Sequence, residues 1–193
     1  MSISTKTGDG GHTNLIGRIQ VPKDHPIMEC LGTIDELNAF LGAAKATLRE
    51  KNFPGENDSP DAGAQAETAD GRAGTSGLIE KIQKELFVIS GILAGSGAKS
   101  PAEGPLSAII EELESAQHLF VGFAVPGENP ASAQLHIART VCRRAERRLV
   151  ALDHARDSGE TPLKLPPGIL PYFNRLSDLL FLLAQREAGE TGA

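Results

Sequence analysis

The sequence predicts an all-α fold, a bundle of five amphipathic helices behind an extended amino-terminal arm. Three observations carry this. Five stretches repeat apolar residues at spacings of three and four, connections bearing Pro and Gly separate them, and the composition is 40% hydrophobic but only 4% aromatic, without Trp. An aliphatic core of Leu, Ile, Val and Ala suits helices better than sheets. With 193 residues, a single domain over 1–193 holds one core, and no internal repeat divides it.

Taken in order, residues 1–25 are rich in Gly, Thr and charge, lack a sustained period, and read as an irregular arm with room for a short strand. Pro26 suits a first helical position, and "IMECLGTIDELNAFLGAAKATLRE" then spaces Met28, Leu31, Ile34, Leu37 (or Asn38) and Leu41 as an amphipathic helix, weakened by Gly32 and Gly42. Residues 51–77 carry almost no large apolar side chain after Phe53. Such a stretch does not offset its ordering entropy and is expected to be a flexible insertion. Helical spacing returns at 78–95, 105–120, 132–156 and 168–189. Ahead of the third of these, Ser132 or Asn129 is placed to cap, and Pro126 and Pro130 bar an earlier start.

Several function classes drop out. The longest apolar runs fall far short of the roughly 20 residues that span a bilayer, and no signal peptide opens the chain, so a cytoplasmic protein without membrane contact is expected. Cys30 and Cys142 are too few for a disulfide framework or a four-ligand zinc site and read as buried thiols. A net charge of -6 argues against nucleic acid as partner. No phosphate-loop motif, dinucleotide fingerprint, nucleophile elbow or His-Glu-x-x-His string occurs.

Against that acidic balance, "HIARTVCRRAERRLV" gathers five arginines. On a helix Arg139, Arg143 and Arg147 stack at i, i+4 and i+8 with His136 one turn before them, and Arg144 and Arg148 form a second row. Like charges so placed repel by a few tenths of a kcal/mol each, and Glu146 answers only part. Two readings stay open: a salt-bridged or solvated face, and a site for a small polyanion, for which guanidinium forks are well shaped. The arm offers a second half in "TKTGDGGHTN". There Gly8, Gly10 and Gly11 let backbone N–H groups approach an anion, Thr5, Thr7 and Thr13 add hydroxyls, and Lys6 adds charge, although a plain surface turn explains the glycines equally well. Asp35 with Asn38, and Asn174 with Asp178, recur at helical spacing and read either as exposed pairs or as site groups.

Together, "TGDGGHTNL", "GTIDELNAFLG", "HIARTVCRRAERR" and "YFNRLSDLLFLLA", in this order, resemble the PduO-type ATP:cob(I)alamin adenosyltransferases over nearly everything except 51–77. The resemblance implies a five-helix bundle of ferritin-like, up-down architecture that assembles as a homotrimer with sites between subunits, ATP and cobalamin as substrates, and assistance by Mg2+. Reduced cobalt attacks the 5′ carbon of ATP in such enzymes, giving adenosylcobalamin and triphosphate without a general base. It further implies that Thr5, Lys6, Thr7, Gly8, Asp9 and Thr13 contact nucleotide from the arm, with Lys23 reaching the phosphates. Arg143 would pair with Asp35 of a neighbouring subunit, Arg147 would bind the polyphosphate, and Arg139 and Arg144 would support the site. Glu146 would lie beside the nucleotide or its Mg2+, Asn174 would face the sugar or the corrinoid edge, and Phe123 would cover the lower face of the corrin. The longer 51–77 segment and His12, where small hydroxyl residues are common, depart from the family pattern. A non-enzymatic ATP-binding or corrinoid-carrier bundle is the alternative function, and delivery to an adenosylcobalamin-dependent client enzyme is compatible with either.

Overall fold

The computed structural model describes residues 4, 6–50, 66–116, 125–157 and 164–189. Strands β1 (His12–Asn14) and β2 (Gln20–Pro22) precede helices α1 (Pro26–Glu50), α2 (Ala66–Leu93), α3 (Gly104–Ala116), α4 (Pro130–Asp157) and α5 (Ile169–Gly189). The expected all-α bundle is what forms, with α1 packed on α2 and α4, α4 on α5, and α5 on α3.

In α1, Ile27, Cys30, Ile34, Leu37, Leu41, Ala44 and Leu48 alternate spacings of three and four and are all buried, the seam that lets two helices lie nearly antiparallel. Each large aliphatic side chain so covered contributes about 1.5–3 kcal/mol. From Ile34 onward the stripe is the expected one; only in the first two turns does it run through Ile27 and Cys30 instead, with Met28 and Leu31 half-buried at its margin. The helix continues through both glycines, and at Gly42 an added Cβ would stand 3.4 Å from Gln83 Nε2 on α2. His25 caps the start, its Nδ1 accepting from Ile27 N at 3.1 Å.

Helix α2 begins at Ala66, inside the segment expected to be an insertion, so residues 66–77 are helical. At Thr75 and Ser76 polar packing holds the helix where large apolar side chains are missing. Thr75 and Ser76 are buried; the Arg186 guanidinium of α5 donates to Thr75 Oγ1, and Arg49 Nε of α1 donates to Ser76 Oγ at 3.1 Å. Residues 51–65 lie outside the described residues.

The first residue of α4 is Pro130, not a later one; a proline at that position loses only an N–H that has no helical partner. Asn129 is the cap, its Oδ1 accepting from Ser132 N at 2.9 Å, while its Nδ2 donates to Glu187 O of α5 at 2.6 Å. Ala131, Ala138 and Ala145 lie buried on the inner face of α4 and let neighbouring helices approach closely. Tyr172 of α5 donates to Glu85 Oε2 of α2 at 2.8 Å, and burial pushes its phenol pKa up. Both cysteines are buried thiols; burial pushes Cys30 up to about 11 and Cys142 higher still, which keeps them inert.

The arm forms an antiparallel hairpin in register Thr13 to Val21. Val21 is buried, and Ile16 N donates to Ala94 O at 2.9 Å, fastening the hairpin to the end of α2. Among the described residues no helix is long and apolar enough to cross a membrane.

Candidate functional site

The two arginine rows of α4 meet different neighbours. Arg144 pairs with Glu36 and Arg148 with Glu29 at 3.5 Å, so α1 neutralises the second row. Arg143 and Arg147 are exposed, and no carboxylate among the described residues pairs with them or with Arg139. Arg139 is half-buried, its guanidinium 6.0 Å from the Phe181 ring centroid, its Nε buried without a hydrogen bond. Burial, then the charge of Arg143, lowers its pKa. His136 is 4% exposed and stands edge-on to Phe181 at 6.1 Å. Burial first and Arg139 second hold its pKa below the usual value, so the imidazole is neutral near pH 7 and adds no charge to the row.

Beside this row α4 and α5 share polar contacts. Asn174 Nδ2 donates to Glu146 Oε1 at 3.3 Å, Arg175 donates to Asn174 Oδ1, and Arg175 Nη1 lies 3.6 Å from Asp178 Oδ2. Asn174 and Asp178 are therefore joined through Arg175. Glu146, Asn174 and Arg175 line an open cavity of about 500 Å3 with Glu103, Ser107, Leu170 and Pro171. Two carboxylates, a hydroxyl, an amide and the Arg175 guanidinium offer both acceptors and donors to a ligand bearing hydroxyl groups.

Asp35 is exposed on α1 and makes no ion pair with Arg143 within the chain. It lines a second groove, about 470 Å3, at the α1–α2 seam with Asn38, Lys45, Gln83 and Phe87. Asn38 is 7% exposed, and its Oδ1 is buried without a hydrogen bond.

In the arm, residues 6–11 make successive tight turns: Asp9 N donates to Lys6 O and Gly11 N to Gly8 O, each at 3.3 Å. Lys6 at φ 58° and Gly11 at φ 79° take the left-handed conformation these turns need. Lys23 lies over Gly8, where an added Cβ would come within 3.1 Å of Nζ. The structure thus brings Lys6, Thr7, Gly8, Asp9 and Lys23 together, with Thr13 half-buried in β1. Thr5 and Phe123 lie outside the described residues. Within one chain the arm is fastened to α2, whereas α4 follows α1 in the packing order.

Sequence reasoning missed Arg175, Glu103, Ser107 and Phe181. Arg175 alone left a signal, since it stands three residues before Asp178 and beside Asn174.

The family model described as cobalamin adenosyltransferase matches residues 3–187. The chain belongs to that family. It is 34% identical to the corrinoid adenosyltransferase PduO of Salmonella typhimurium over 97% of this chain and 50% of that protein, so it spans about half the length of that relative. A Bacillus subtilis corrinoid adenosyltransferase is 37% identical over 96% of this chain and 86% of its own length. Among solved structures, a Phe-to-His variant of the Lactobacillus reuteri PduO-type ATP:corrinoid adenosyltransferase, complexed with cobalamin and ATP, superimposes with a TM-score of 0.73. It is 26% identical, over 97% of this chain and 91% of that one.

Proposed function

We propose that this chain transfers the 5′-deoxyadenosyl group of ATP to the cobalt of cob(I)alamin. The observation that carries the reading is the unanswered row Arg139, Arg143 and Arg147 beside a row of the same helix that α1 neutralises. In the reaction the cobalt electron pair forms a bond to the 5′ carbon, the carbon–oxygen bond breaks, and its electrons leave with the triphosphate. Cob(I)alamin is nucleophilic enough to need no base, so the protein positions the carbon and stabilises the departing charge.

Arg147 takes the polyphosphate, Arg139 flanks it, and Glu146 and Asn174 take the sugar, whose hydroxyls fit the cavity they share with Glu103 and Ser107. Lys6, Thr7, Gly8, Asp9, Thr13 and Lys23, with Thr5, close over the nucleotide from the arm. Arg144 supports the row by holding α4 against α1. Phe123 covers the lower corrin face. Because the arm is fastened to α2, the arm of one subunit and the row of another complete each site in a homotrimer, where Arg143 meets Asp35 of the neighbour. Mg2+ fits at Glu146 as a triphosphate-bound ion only: no group of three or more metal-binding side chains occurs among the described residues, so phosphate oxygens and water would supply its other ligands. When bound it adds countercharge.

The test supplies ATP, Mg2+ and chemically reduced cobalamin. The expected result is the spectral change of cobalt–carbon bond formation with release of triphosphate. A folded trimer that binds both substrates and releases none is a carrier, and the reading fails.

A further inference from the structure

Arg175 holds a place in this cavity that the reaction as described leaves without a task. Asp178 Oδ2 lies 3.6 Å from Arg175 Nη1, Arg175 donates to Asn174 Oδ1, and Asn174 Nδ2 donates to Glu146 Oε1 at 3.3 Å. The run crosses from α5 to α4 and has only one direction. A guanidinium donates and never accepts, and an ionised carboxylate accepts and never donates. The amide between them is the one group with an end of each kind. With a guanidinium on one side and a carboxylate on the other, its oxygen must face Arg175 and its nitrogen Glu146.

We propose that Arg175 is a positioning residue that sets the orientation of the Asn174 amide, and through it the Glu146 carboxylate, toward a ligand in this cavity. This rests on the nucleotide reading of the cavity, which Arg175, Asn174 and Glu146 all line. Arg175 and Asp178 are 43% and 46% exposed at their side chains, so their attraction contributes little stability. What Arg175 contributes is geometry. Without it only the Glu146 contact orients the amide, and for part of the time its oxygen turns toward the carboxylate and repels it. The loss falls on a contact made before and during the reaction alike, hence on KM more than on kcat.

The experiment is a cycle of Arg175→Met, Asn174→Ala and the double variant, with Arg175→Lys as the conservative replacement. Arg175→Met is expected to raise KM for ATP about tenfold, the size of one hydrogen bond to a charged group, with kcat changed less than about twofold. In the Asn174→Ala background it is expected to add nothing, and Arg175→Lys recovers part of the loss. Side-chain amide NMR of the ligand-free protein is read in parallel. There the Asn174 Nδ2 protons should shift and exchange faster in Arg175→Met, with the α5 backbone signals unmoved. Independent, multiplying effects in the cycle, or unchanged Asn174 side-chain signals, overturn the positioning role. A wild-type chain that makes no adenosylcobalamin overturns the nucleotide reading instead, and the NMR arm still decides what Arg175 does.

Discussion

Arg144 and Arg148 lie on the same helix as Arg139, Arg143 and Arg147, yet the two rows have opposite fates. Arg144 and Arg148 look toward α1 and find Glu36 and Glu29. The other row lies on the α5 side, where Arg139 meets the Phe181 ring and Arg143 and Arg147 stand exposed. One row fastens two helices of the same chain; the other meets no carboxylate among the described residues. Identical side chains on one helix therefore differ in partner through the carboxylates opposite them, and no count of arginines predicts that division.

The largest break in this comparison comes from the neighbour proposed for Arg143. Asp35→Asn should weaken trimer assembly by about 3 kcal/mol, because a guanidinium buried at an interface loses its partner. Sedimentation should show dissociation at micromolar chain, with turnover falling in parallel; an unchanged trimer with normal rates breaks the pairing. Arg147→Ala should cost about 3 kcal/mol in kcat/KM, on the order of a hundredfold, as one donor to the leaving group is lost. Thermal unfolding should stay unaltered, and normal kinetics would place the triphosphate elsewhere.

A smaller effect, confined to acid, separates the neutral member of the row from its charged members. The His136 pKa is held below 6.5 in the folded chain, so the unfolded chain takes up the proton first as pH falls. Stability from a neutral His136 is therefore full above pH 6.5 and declines as pH drops from there toward the depressed folded value. His136→Gln should flatten that part of a denaturant-midpoint against pH curve, and an identical slope in both proteins would show that other groups set it. The smallest effect belongs to the neutralised row. Arg144 and Glu36 are 42% and 46% exposed at their side chains, so Arg144→Gln should lower stability by less than about 1 kcal/mol. Turnover by this variant should stay within about threefold of wild type, because it removes support rather than a phosphate donor.

How far the sequence reaches differs from element to element. The α1 helix was legible because its buried residues recur without interruption from Ile27 to Leu48. The turn of α2 around Thr75 and Ser76 was not, because those residues are covered by Arg186 and Arg49, partners remote in sequence that no local pattern announces. At the site, the stacking of Arg139, Arg143 and Arg147 followed from helical spacing alone. Contacts such as Asn174 with Glu146 and Arg175 with Asn174 did not.

By itself the sequence determined five helices, the faces they bury and the phase of the arginines on α4, because each of these depends on residues a few positions apart. Only the tertiary structure decided which arginines are neutralised, that the arm is fastened to the end of α2 through Ile16 and Ala94, and that Glu146, Asn174 and Arg175 share one cavity with α3. Those outcomes depend on which helix faces which. A chain's local periodicity fixes the direction of a side chain around its own axis, but the charge or hydroxyl it meets is brought there by packing between segments up to a hundred or more residues apart.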